Sequence, residues 1–255
     1  MVLIKSISGI RGTLGGKEGD DLTDRDVVKF VSSYANILKS ESNKNLVLVG
    51  RDARKSGEKF NKIVVETLLG FGIDILDINL TTTPTIEVAI VLKQAQGGIM
   101  ISASHNDNKW NALKFFNSKG EFISKEKGEQ ILELYKNGSF SDSHNEKGQY
   151  FKEDFIKQHI DAIKNLDLVD IKKIKSKNYK IVVDGINSTG GVAVPMLLEE
   201  IGVKDILKIN CNPDGNFAHN PEPLSKNLKQ LRDHVLSSKA DLGIAVDPDV
   251  DRLAI

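Results

Sequence analysis

The residues best suited to chemistry lie near the end of the sequence, where three carboxylates alternate along a short loop. Asp247, Asp249 and Asp251 directly follow an apolar run that ends at Val246. Carboxylate oxygens one residue apart can converge when a loop curls around a hard cation, and Mg²⁺ needs only a partial set of protein ligands. The spacing therefore predicts a divalent-cation site, with a solvated acidic turn as the alternative. An EF-hand is not matched, because Arg252 stands where its sixth position requires glycine.

A second polar turn follows the apolar run Ile99–Ile101. Ser104 lies between Ala103 and His105, so the glycine-flanked elbow of serine hydrolases is not matched. His105 does not imply a general base by its position alone, because neighbouring side chains on an extended chain point apart. A functional serine and an ordinary turn both remain open, and a link to the acidic loop favours the first.

Three other segments combine glycine with charged or polar residues. Arg11 lies between glycines in the segment 7–12, where it could contact a phosphate or belong to an N-terminal turn. The alternating Arg and Asp residues of 50–54 favour a structural ion-pair network over an anion site. The glycine-rich turn at 184–191 matches neither the dinucleotide nor the P-loop spacing, so close packing is favoured there.

Composition excludes several classes of protein. The 255 residues carry 35 Lys and Arg against 35 Asp and Glu, a formal net charge of zero, which argues against a nucleic-acid partner. Cys211 is the single cysteine, so an internal disulfide framework and a Cys-rich zinc site are excluded. The apolar run at Met1–Ser6 is too short for a secretion signal, and no run of eighteen apolar residues predicts a membrane span. We therefore expect a cytoplasmic protein with no membrane partner; the oligomeric state is left open.

Hydrophobic periodicity positions these segments on alternating strands and helices. Strands are predicted at 46–50, 73–78, 98–102, 113–116, 180–184, 206–209 and 241–246, and helices at 23–39, 57–69, 85–95, 125–136, 151–165, 190–201 and 224–237. This alternation predicts an α/β layer fold. The polar stretch 137–150 is nearly free of aliphatic residues, so we predict two domains, 1–147 and 148–255. The sequence ends on a loop that leads into a new apolar strand, and we expect it to be part of a longer polypeptide.

Five motifs together resemble the α-D-phosphohexomutase family, which contains phosphoglucomutases, phosphomannomutases and phosphoglucosamine mutases. They are ISGIRG at 7–12, VGRDAR at 49–54, ISASHN at 101–106 with Lys114, VVDGINSTGG at 182–191 and DPDVDR at 247–252. The resemblance covers essentially the whole chain. It implies two consecutive three-layer α/β domains with mixed sheets, the first two of four, with the sugar- and phosphate-binding domains III and IV lying outside this sequence.

The resemblance also implies roles for individual residues. Ser104 matches the family's phosphoserine, with His105 beside it, and Lys114 and Arg11 match further catalytic positions. Asn106 and Arg252 match substrate-binding positions. The implied ligands of Mg²⁺ are Asp247, Asp249, Asp251 and a phosphate oxygen on Ser104.

The implied activity is an intramolecular phosphotransferase, an isomerase of carbohydrate metabolism that interconverts hexose 6-phosphate and hexose 1-phosphate. A phosphoserine enzyme and a hexose 1,6-bisphosphate, which also acts as activator, carry the reaction. The form of the serine loop and of Lys114–Phe116 favours glucosamine phosphate as substrate, with a phosphoglucomutase or phosphomannomutase as the alternative. Without domains III and IV, we expect this chain to turn over poorly.

Departures from the family pattern and two rival functions remain. Asp107 replaces the usual proline after Ser-His-Asn, Asn111-Ala112 replaces the common Asn-Gly, and Pro248 with Val250 replaces the usual glycine spacing of the metal loop. These changes put loop geometry in question, whereas the ligating residue types are retained. The rivals are a haloacid-dehalogenase-type phosphatase, with Asp247 as the phosphorylated nucleophile, and a non-catalytic sugar-phosphate-binding module.

Overall fold

The computed structural model describes residues 3–6, 9–41, 45–138 and 146–255. Its strands are β1 Leu3–Ser6, β2 Gly9–Thr13, β3 Leu46–Arg51, β4 Asp74–Leu80, β5 Gly97–Ile101, β6 Trp110–Asn117, β7 Tyr150–Lys152, β8 Lys180–Asp184, β9 Asp205–Ile209, β10 Leu242–Val246 and β11 Leu253–Ala254. Its α-helices are α1 Asp24–Glu41, α2 Lys55–Gly70, α3 Thr83–Leu92, α4 Lys125–Asn137, α5 Ile156–Lys164, α6 Ile171–Lys177, α7 Gly190–Glu200 and α8 Lys229–Ser238. Ile7 and Ser8 of the first motif, and residues 139–145 of the predicted linker, lie outside the described residues.

The first sheet has seven strands in the order β1-β2-β6-β5-β3-β4-β7. The pairs β5-β3, β3-β4 and β4-β7 are parallel, whereas the pairs β1-β2, β2-β6 and β6-β5 are antiparallel. Residues of β3 and β5 are buried along both faces of the sheet, as their continuous apolar runs predict. The sheet is therefore mixed, and its parallel strands end at the edge where the serine loop begins.

Helices cover both faces of this sheet. On one face Phe30 of α1, Val64 of α2 and Ile131 of α4 join the larger apolar cluster. On the other face Ile86 and Ile90 of α3 pack with the smaller cluster. The three-layer arrangement predicted for the first half is thus confirmed.

The second sheet has four strands in the order β11-β10-β8-β9, with only β11 antiparallel. Leu198 of α7 packs on one face, and Leu231 of α8 packs on the other. The glycine-rich turn before α7 serves this packing, since a Cβ on Gly191 would lie 2.6 Å from the Cα of Cys211. The second half therefore repeats the three-layer plan on a smaller scale.

Two segments differ from the sequence prediction. The N-terminal segment around Arg11 is a strand, β2, which pairs with β6 on one side and β1 on the other. The helix predicted at 151–165 begins only at Ile156, because Tyr150–Lys152 extends the first sheet beside β4. Both differences are tertiary effects, since each short segment is held as a strand by a neighbour distant in sequence.

The predicted division at 147/148 assigns β7 to the second domain, whereas β7 pairs within the first sheet. We define the first unit as the seven-stranded sheet with its helices, and the second unit as the four-stranded sheet with its helices. Across the described ranges, none of the helices combines the length and the apolar character that crossing a membrane requires.

Candidate active site

Ser104 lies on the loop between β5 and β6, at the carboxyl end of the parallel strands. Its backbone has a φ of +50°, in the left-handed region that residues other than glycine seldom adopt. The residue is 7% exposed, and its backbone N–H donates to the hydroxyl oxygen of Ser102 at 2.9 Å. A strained conformation at a buried polar residue is typical of functional loops.

The hydroxyl of Ser104 reaches across to the acidic loop of the second unit. Its Oγ donates to Oδ2 of Asp247 at 2.5 Å and lies 3.1 Å from Oδ1 of Asp251. The structure thus brings together the two segments that sequence analysis singled out.

The acidic loop follows β10 and curls back on itself. Oδ1 of Asp247 accepts hydrogen bonds from the backbone N–H groups of Asp251 and Arg252, each at 3.0 Å. Val250 has a φ of +64°, which turns the chain at that point. One carboxylate oxygen from each of Asp247, Asp249 and Asp251 lies within 4.8 Å of the others. The three aspartates therefore converge, as the alternating spacing predicts.

The charges of this cluster are incompletely compensated. Asp247 and Asp249 are fully buried, and among the described side chains Oδ1 of Asp249 is one of the few buried polar atoms with no hydrogen-bond partner. Burial, and then the charges of Asp249 and Asp251, raise the pKa of Asp247 to about 8. Crowded carboxylates with a spare oxygen are a donor set suited to a hard divalent cation.

Among the described residues, Lys114 of β6 is the cationic side chain that forms ion pairs with this cluster. Its Nζ donates to Oδ2 of Asp249 at 2.6 Å and to Oδ2 of Asp251 at 2.7 Å. Burial lowers the pKa of Lys114, but the two carboxylates outweigh burial and raise that pKa above its usual value. Thr83, at the start of α3, adds a hydroxyl that donates to Asp249 Oδ2 at 2.5 Å. Asp249 is thus held from the first unit by two side chains.

His105 lies closer to Ser104 than its position in the sequence suggests. Its Nδ1 is 3.4 Å from Ser104 Oγ, because the left-handed backbone of Ser104 turns the two side chains to one side. Burial, and then the charges of Arg252 and Arg11, lower the pKa of His105, although nearby acids oppose this. The expectation that these neighbours point apart is wrong here, since it assumed an extended chain.

The remaining predicted residues surround this centre. Arg11 Nη1 donates to Oδ1 of Asn106 at 2.8 Å, so β2 supports the far side of the serine loop. Arg252 forms an ion pair with Glu222, and His105 Nε2 lies 3.5 Å from the same carboxylate. The nine predicted site residues therefore lie on the two loops, on β2 or on β6, and side-chain contacts connect the two loops.

Sequence analysis overlooked three residues of this region: Arg54, Thr83 and Glu222. The Asp52–Arg54 ion pair favoured by the alternating charges does form, at 3.0 Å, but Arg54 also contacts the serine loop. Thr83 carried no signal beyond a helix start, and Glu222 lies in an irregular segment without periodicity. Their importance depends on contacts with loops distant in the sequence, which spacing along one segment does not encode.

Ser188 joins the two units directly beneath the site. Its hydroxyl accepts a hydrogen bond from the backbone N–H of Ala53 at 3.2 Å and donates to the carbonyl of Pro248 at 2.6 Å. One side chain of the glycine-rich turn thus links the segment before α2 to the acidic loop.

The chain is similar in sequence to a family of known proteins. Family models described as phosphoglucomutase/phosphomannomutase, alpha/beta/alpha domain I and domain II match residues 4–142 and 157–255. A Thermococcus kodakarensis protein named phosphoglucomutase/phosphomannomutase is 38% identical over 246 residues, covering 94% of this chain and 53% of the relative. A Sulfurisphaera tokodaii protein named phosphoglucosamine/phosphogalactosamine mutase is 34% identical, covering 96% of this chain and 52% of the relative.

The fold has a solved counterpart. The crystal structure of a phosphoglucomutase/phosphomannomutase family protein from Burkholderia thailandensis superposes with a TM-score of 0.81 at 23% identity, covering 97% of this chain and 53% of that chain. The present chain thus spans about half the length of the curated relatives it matches.

Proposed function

Because the chain belongs to the phosphoglucomutase/phosphomannomutase family, we propose that it is the phosphoryl-carrying half of a phosphohexomutase, an isomerase. Ser104 would carry the phosphoryl group and pass it to a hexose monophosphate. The hydrogen bond from Ser104 Oγ to Asp247, across two separately folded sheets, is the observation that carries this proposal. A turn with no function has no need to bury a hydroxyl inside a cluster of three carboxylates.

The residues present fit a magnesium ion. The carboxylates of Asp247, Asp249 and Asp251 would hold it, together with a phosphate oxygen on Ser104, and the unpartnered Oδ1 of Asp249 is a ready donor. When bound, Mg²⁺ supplies positive charge that neutralises the phosphoryl oxygens during transfer. Lys114 already contributes one positive charge at the same place.

The transfer exchanges one phosphorus–oxygen bond for another. The bond between phosphorus and Ser104 Oγ breaks, and a bond forms from phosphorus to a hydroxyl oxygen of the hexose monophosphate, which gives a hexose 1,6-bisphosphate. The proton of that hydroxyl goes to a nearby base, for which we propose His105, since its lowered pKa keeps it neutral near pH 7. Ser104 leaves as an alkoxide and takes that proton from His105, whose Nδ1 lies 3.4 Å from Oγ. The reverse steps with the other phosphate of the reoriented intermediate complete the isomerisation.

Arg11, Asn106 and Arg252 then act on the substrate side of the site. Arg11 holds the Asn106 amide, and Arg252 is a partly exposed guanidinium at the end of the acidic loop, where it can contact a phosphate. We propose glucosamine phosphate as the substrate, because the form of the serine loop and the name of the Sulfurisphaera relative both favour it. A glucose or mannose phosphate is the alternative, which the Thermococcus relative's name favours.

Two rival functions have less support. A phosphatase with Asp247 as nucleophile would need a free carboxylate oxygen, whereas Oδ2 of Asp247 accepts from Ser104 and Oδ1 accepts from two backbone N–H groups. A binding module without catalysis would explain the charged residues gathered at the two loops but not the hydrogen bond between Ser104 and Asp247. We further propose that the first domain extends through β7, so that the boundary lies near 153–156, and that the protein is cytoplasmic.

Intact-mass measurement of the purified chain tests the proposal directly. The chain would be incubated with glucose 1,6-bisphosphate and Mg²⁺, and any phosphate located by peptide mapping. The expected result is one added phosphoryl group, on Ser104. We expect this chain to turn over hexose monophosphates slowly, because it spans about half the length of the curated relatives it matches.

Two variants control the experiment. Ser104→Ala should abolish the added mass, whereas Ser118→Ala, an exposed serine beyond β6, should leave it unchanged. Phosphate on an aspartate, recognised by its loss in hydroxylamine, would support the phosphatase. A chain that takes up no phosphate but binds the bisphosphate would support the binding module.

A further inference from the structure

The loop that carries Ser104 is wound around one buried guanidinium. Arg54 is 1% exposed, although arginine is among the residues least often buried. Its Nη2 donates to the carbonyls of Ser104 at 2.5 Å and Asn106 at 2.7 Å, and its Nη1 donates to the carbonyl of Asp107 at 2.6 Å. A fourth, longer contact of Nη1 reaches the carbonyl of Trp110 at 3.4 Å.

Every N–H of the guanidinium therefore has an acceptor. Nε donates to Oδ2 of Asp52 at 3.0 Å, and the four remaining N–H groups point to the four loop carbonyls. An arginine offers five donors in a rigid planar fork, and a lysine offers three on a single atom. The loop geometry between β5 and β6 thus matches a group that only arginine supplies.

Asp52 extends the same network to the other side of Ser104. Its Oδ2 also accepts a hydrogen bond from the Ser102 hydroxyl at 2.7 Å, and that hydroxyl in turn accepts one from the Ser104 backbone N–H at 2.9 Å. Ser104 is consequently fixed at its N–H through Ser102 and at its carbonyl by Arg54. These two bonds span the residue whose φ is +50°.

Stability alone gives little reason for this arrangement. A buried ion pair is often no more stabilising than well-packed apolar side chains of similar volume. The pair instead sets the orientation of the loop. The carbonyl of Ser104 is held toward Arg54, and its side-chain hydroxyl faces the acidic loop. Ser104 Oγ then meets Asp247, and His105 Nδ1 lies 3.4 Å from Oγ.

We infer that Arg54 is a positioning residue for Ser104: with Asp52, it holds the serine loop in the strained conformation that aims the hydroxyl at the acidic loop. The effect of Arg54 on the conformation of the loop rests on the geometry alone, whereas its effect on phosphorylation of Ser104 rests on the proposed function. Arg54 touches no reacting atom and acts only through the backbone of the loop.

Arg54→Lys tests the inference, with Arg51→Lys as a matched control three residues away. Within the described residues, the side chain of Arg51 donates only to the carbonyl of Asp52, at 3.3 Å. Three quantities would be measured: hydrogen exchange of the peptide 102–110, the rate at which glucose 1,6-bisphosphate phosphorylates Ser104, and the affinity for Mn²⁺.

In Arg54→Lys we expect exchange of the loop to quicken roughly 10-fold or more while the helices of the first unit keep their protection. Phosphorylation at a saturating donor concentration should slow about 100-fold, as a misplaced reacting group implies. The affinity for Mn²⁺ should stay unchanged, because the three aspartates do not contact Arg54; a general structural defect would lower it. Arg51→Lys should match the wild type in all three.

Unchanged loop exchange and an unchanged phosphorylation rate in Arg54→Lys would overturn the inference. If the wild type takes up no phosphate, the proposed function fails, and the exchange measurement still decides the positioning role. Should Arg54→Lys not fold, Ser102→Ala replaces it, since this change removes the bond from the Ser104 N–H and the bond to Asp52 but leaves Arg54 in place. Faster loop exchange in Ser102→Ala supports the network, and unaltered exchange contradicts it.

Discussion

The hydroxyl of Ser104 and the carboxylate of Asp247 are 2.5 Å apart, although 143 positions separate them along the chain. Each residue lies on a loop at the end of a strand, and the two strands belong to different sheets. The site is therefore a property of how the two units pack, and its chemistry depends on that interface as much as on either loop.

Replacing Asp249 should weaken cation binding with little loss of fold. Asp249→Asn removes one charge but keeps an oxygen and the side-chain shape, so the contact with Thr83 can persist. We expect the affinity for Mg²⁺ to fall at least about 10-fold, by analogy with other changes at metal sites. Isothermal titration would measure it, with the exposed Asp233→Asn as control. Equal affinities in wild type and Asp249→Asn would contradict a metal role for this residue.

Removing the charge of Lys114 should destabilise the protein most when no divalent cation is present. Lys114→Met leaves Asp249 and Asp251 without their cation; Asp249 is fully buried, while the Asp251 side chain is 31% exposed. We expect a loss of about 2–3 kcal/mol in the free energy of unfolding, less than a fully buried pair would lose because water screens Asp251.

Denaturant unfolding of Lys114→Met in EDTA and in excess Mg²⁺ would check this expectation. Excess Mg²⁺ should recover part of the loss, because the cation would supply positive charge to the same carboxylates. Lys62→Met is the control, because the exposed Lys62 forms only an i,i+4 ion pair with Glu66. We expect this change to lower the free energy of unfolding by less than about 0.5 kcal/mol. A loss in Lys114→Met that Mg²⁺ leaves untouched would count against a shared site.

The pair of His219 and Asp184 should make the stability of the second unit depend on pH. Both ring nitrogens of His219 face acceptors: Nε2 lies 2.9 Å from Asp184 Oδ2, and Nδ1 lies 2.8 Å from the carbonyl of Asn220. The doubly protonated ring, which can donate to both, therefore suits this environment best. The hydrogen bond to Asp184 raises the pKa of His219, although burial opposes it. The stabilisation is then fully present below the unfolded pKa near 6.5 and is lost as pH rises through the higher folded value.

We expect His219→Gln to reduce the free energy of unfolding more at pH 5.5 than at pH 8.5. Unfolding curves of wild type and variant at several pH values would show the difference shrinking as pH rises. His234→Gln, at an exposed position on α8, is the control and should show no such trend. A difference that grows with pH would mean that the folded protein prefers the neutral ring.

A methyl group at Gly97 should not fit beneath α1. A Cβ there would lie 2.0 Å from the Tyr34 hydroxyl, which is itself buried and donates to the Phe116 carbonyl at 2.7 Å. We expect Gly97→Ala to cost about 1–3 kcal/mol or more, as overpacking does. Gly70→Ala, at the end of α2 where a Cβ meets nothing within 4 Å, should be neutral or slightly stabilising. Thermal denaturation of the two variants would test this contrast.

The sequence predicted the layers of the fold well and its edges poorly. Strands such as β3 and β5 have continuous apolar runs that reflect burial on both faces, and α1 has a clear helical period. By contrast, β1, β2 and β7 are short and exist only because a neighbouring strand pairs with them. Local patterns contain no information about such pairing.

The prediction of the site had the same limit as the prediction of the fold. The convergence of the three aspartates was predicted from residue type and spacing, whereas spacing left Ser104 open and only the family resemblance implied its role. Arg54, Thr83 and Glu222 were not predicted, because each acts on a loop from elsewhere in the chain. The proximity of His105 to Ser104 also depended on a backbone angle that residue types alone do not reveal.

The bond between Ser104 and Asp247, with the link through Ser188, has a consequence for the thermal behaviour of the protein. Each unit has its own hydrophobic core, so the two could melt as independent calorimetric transitions. A divalent cation shared between a phosphorylated Ser104 and the acidic loop would bind only when both units are folded and docked, and would raise the cooperativity of melting. Scanning calorimetry should then give a single transition in the metal-bound phosphoprotein and a broader or divided one in the unmodified, metal-free protein. On the proposed function, the phosphoryl group would link the two units as well as react.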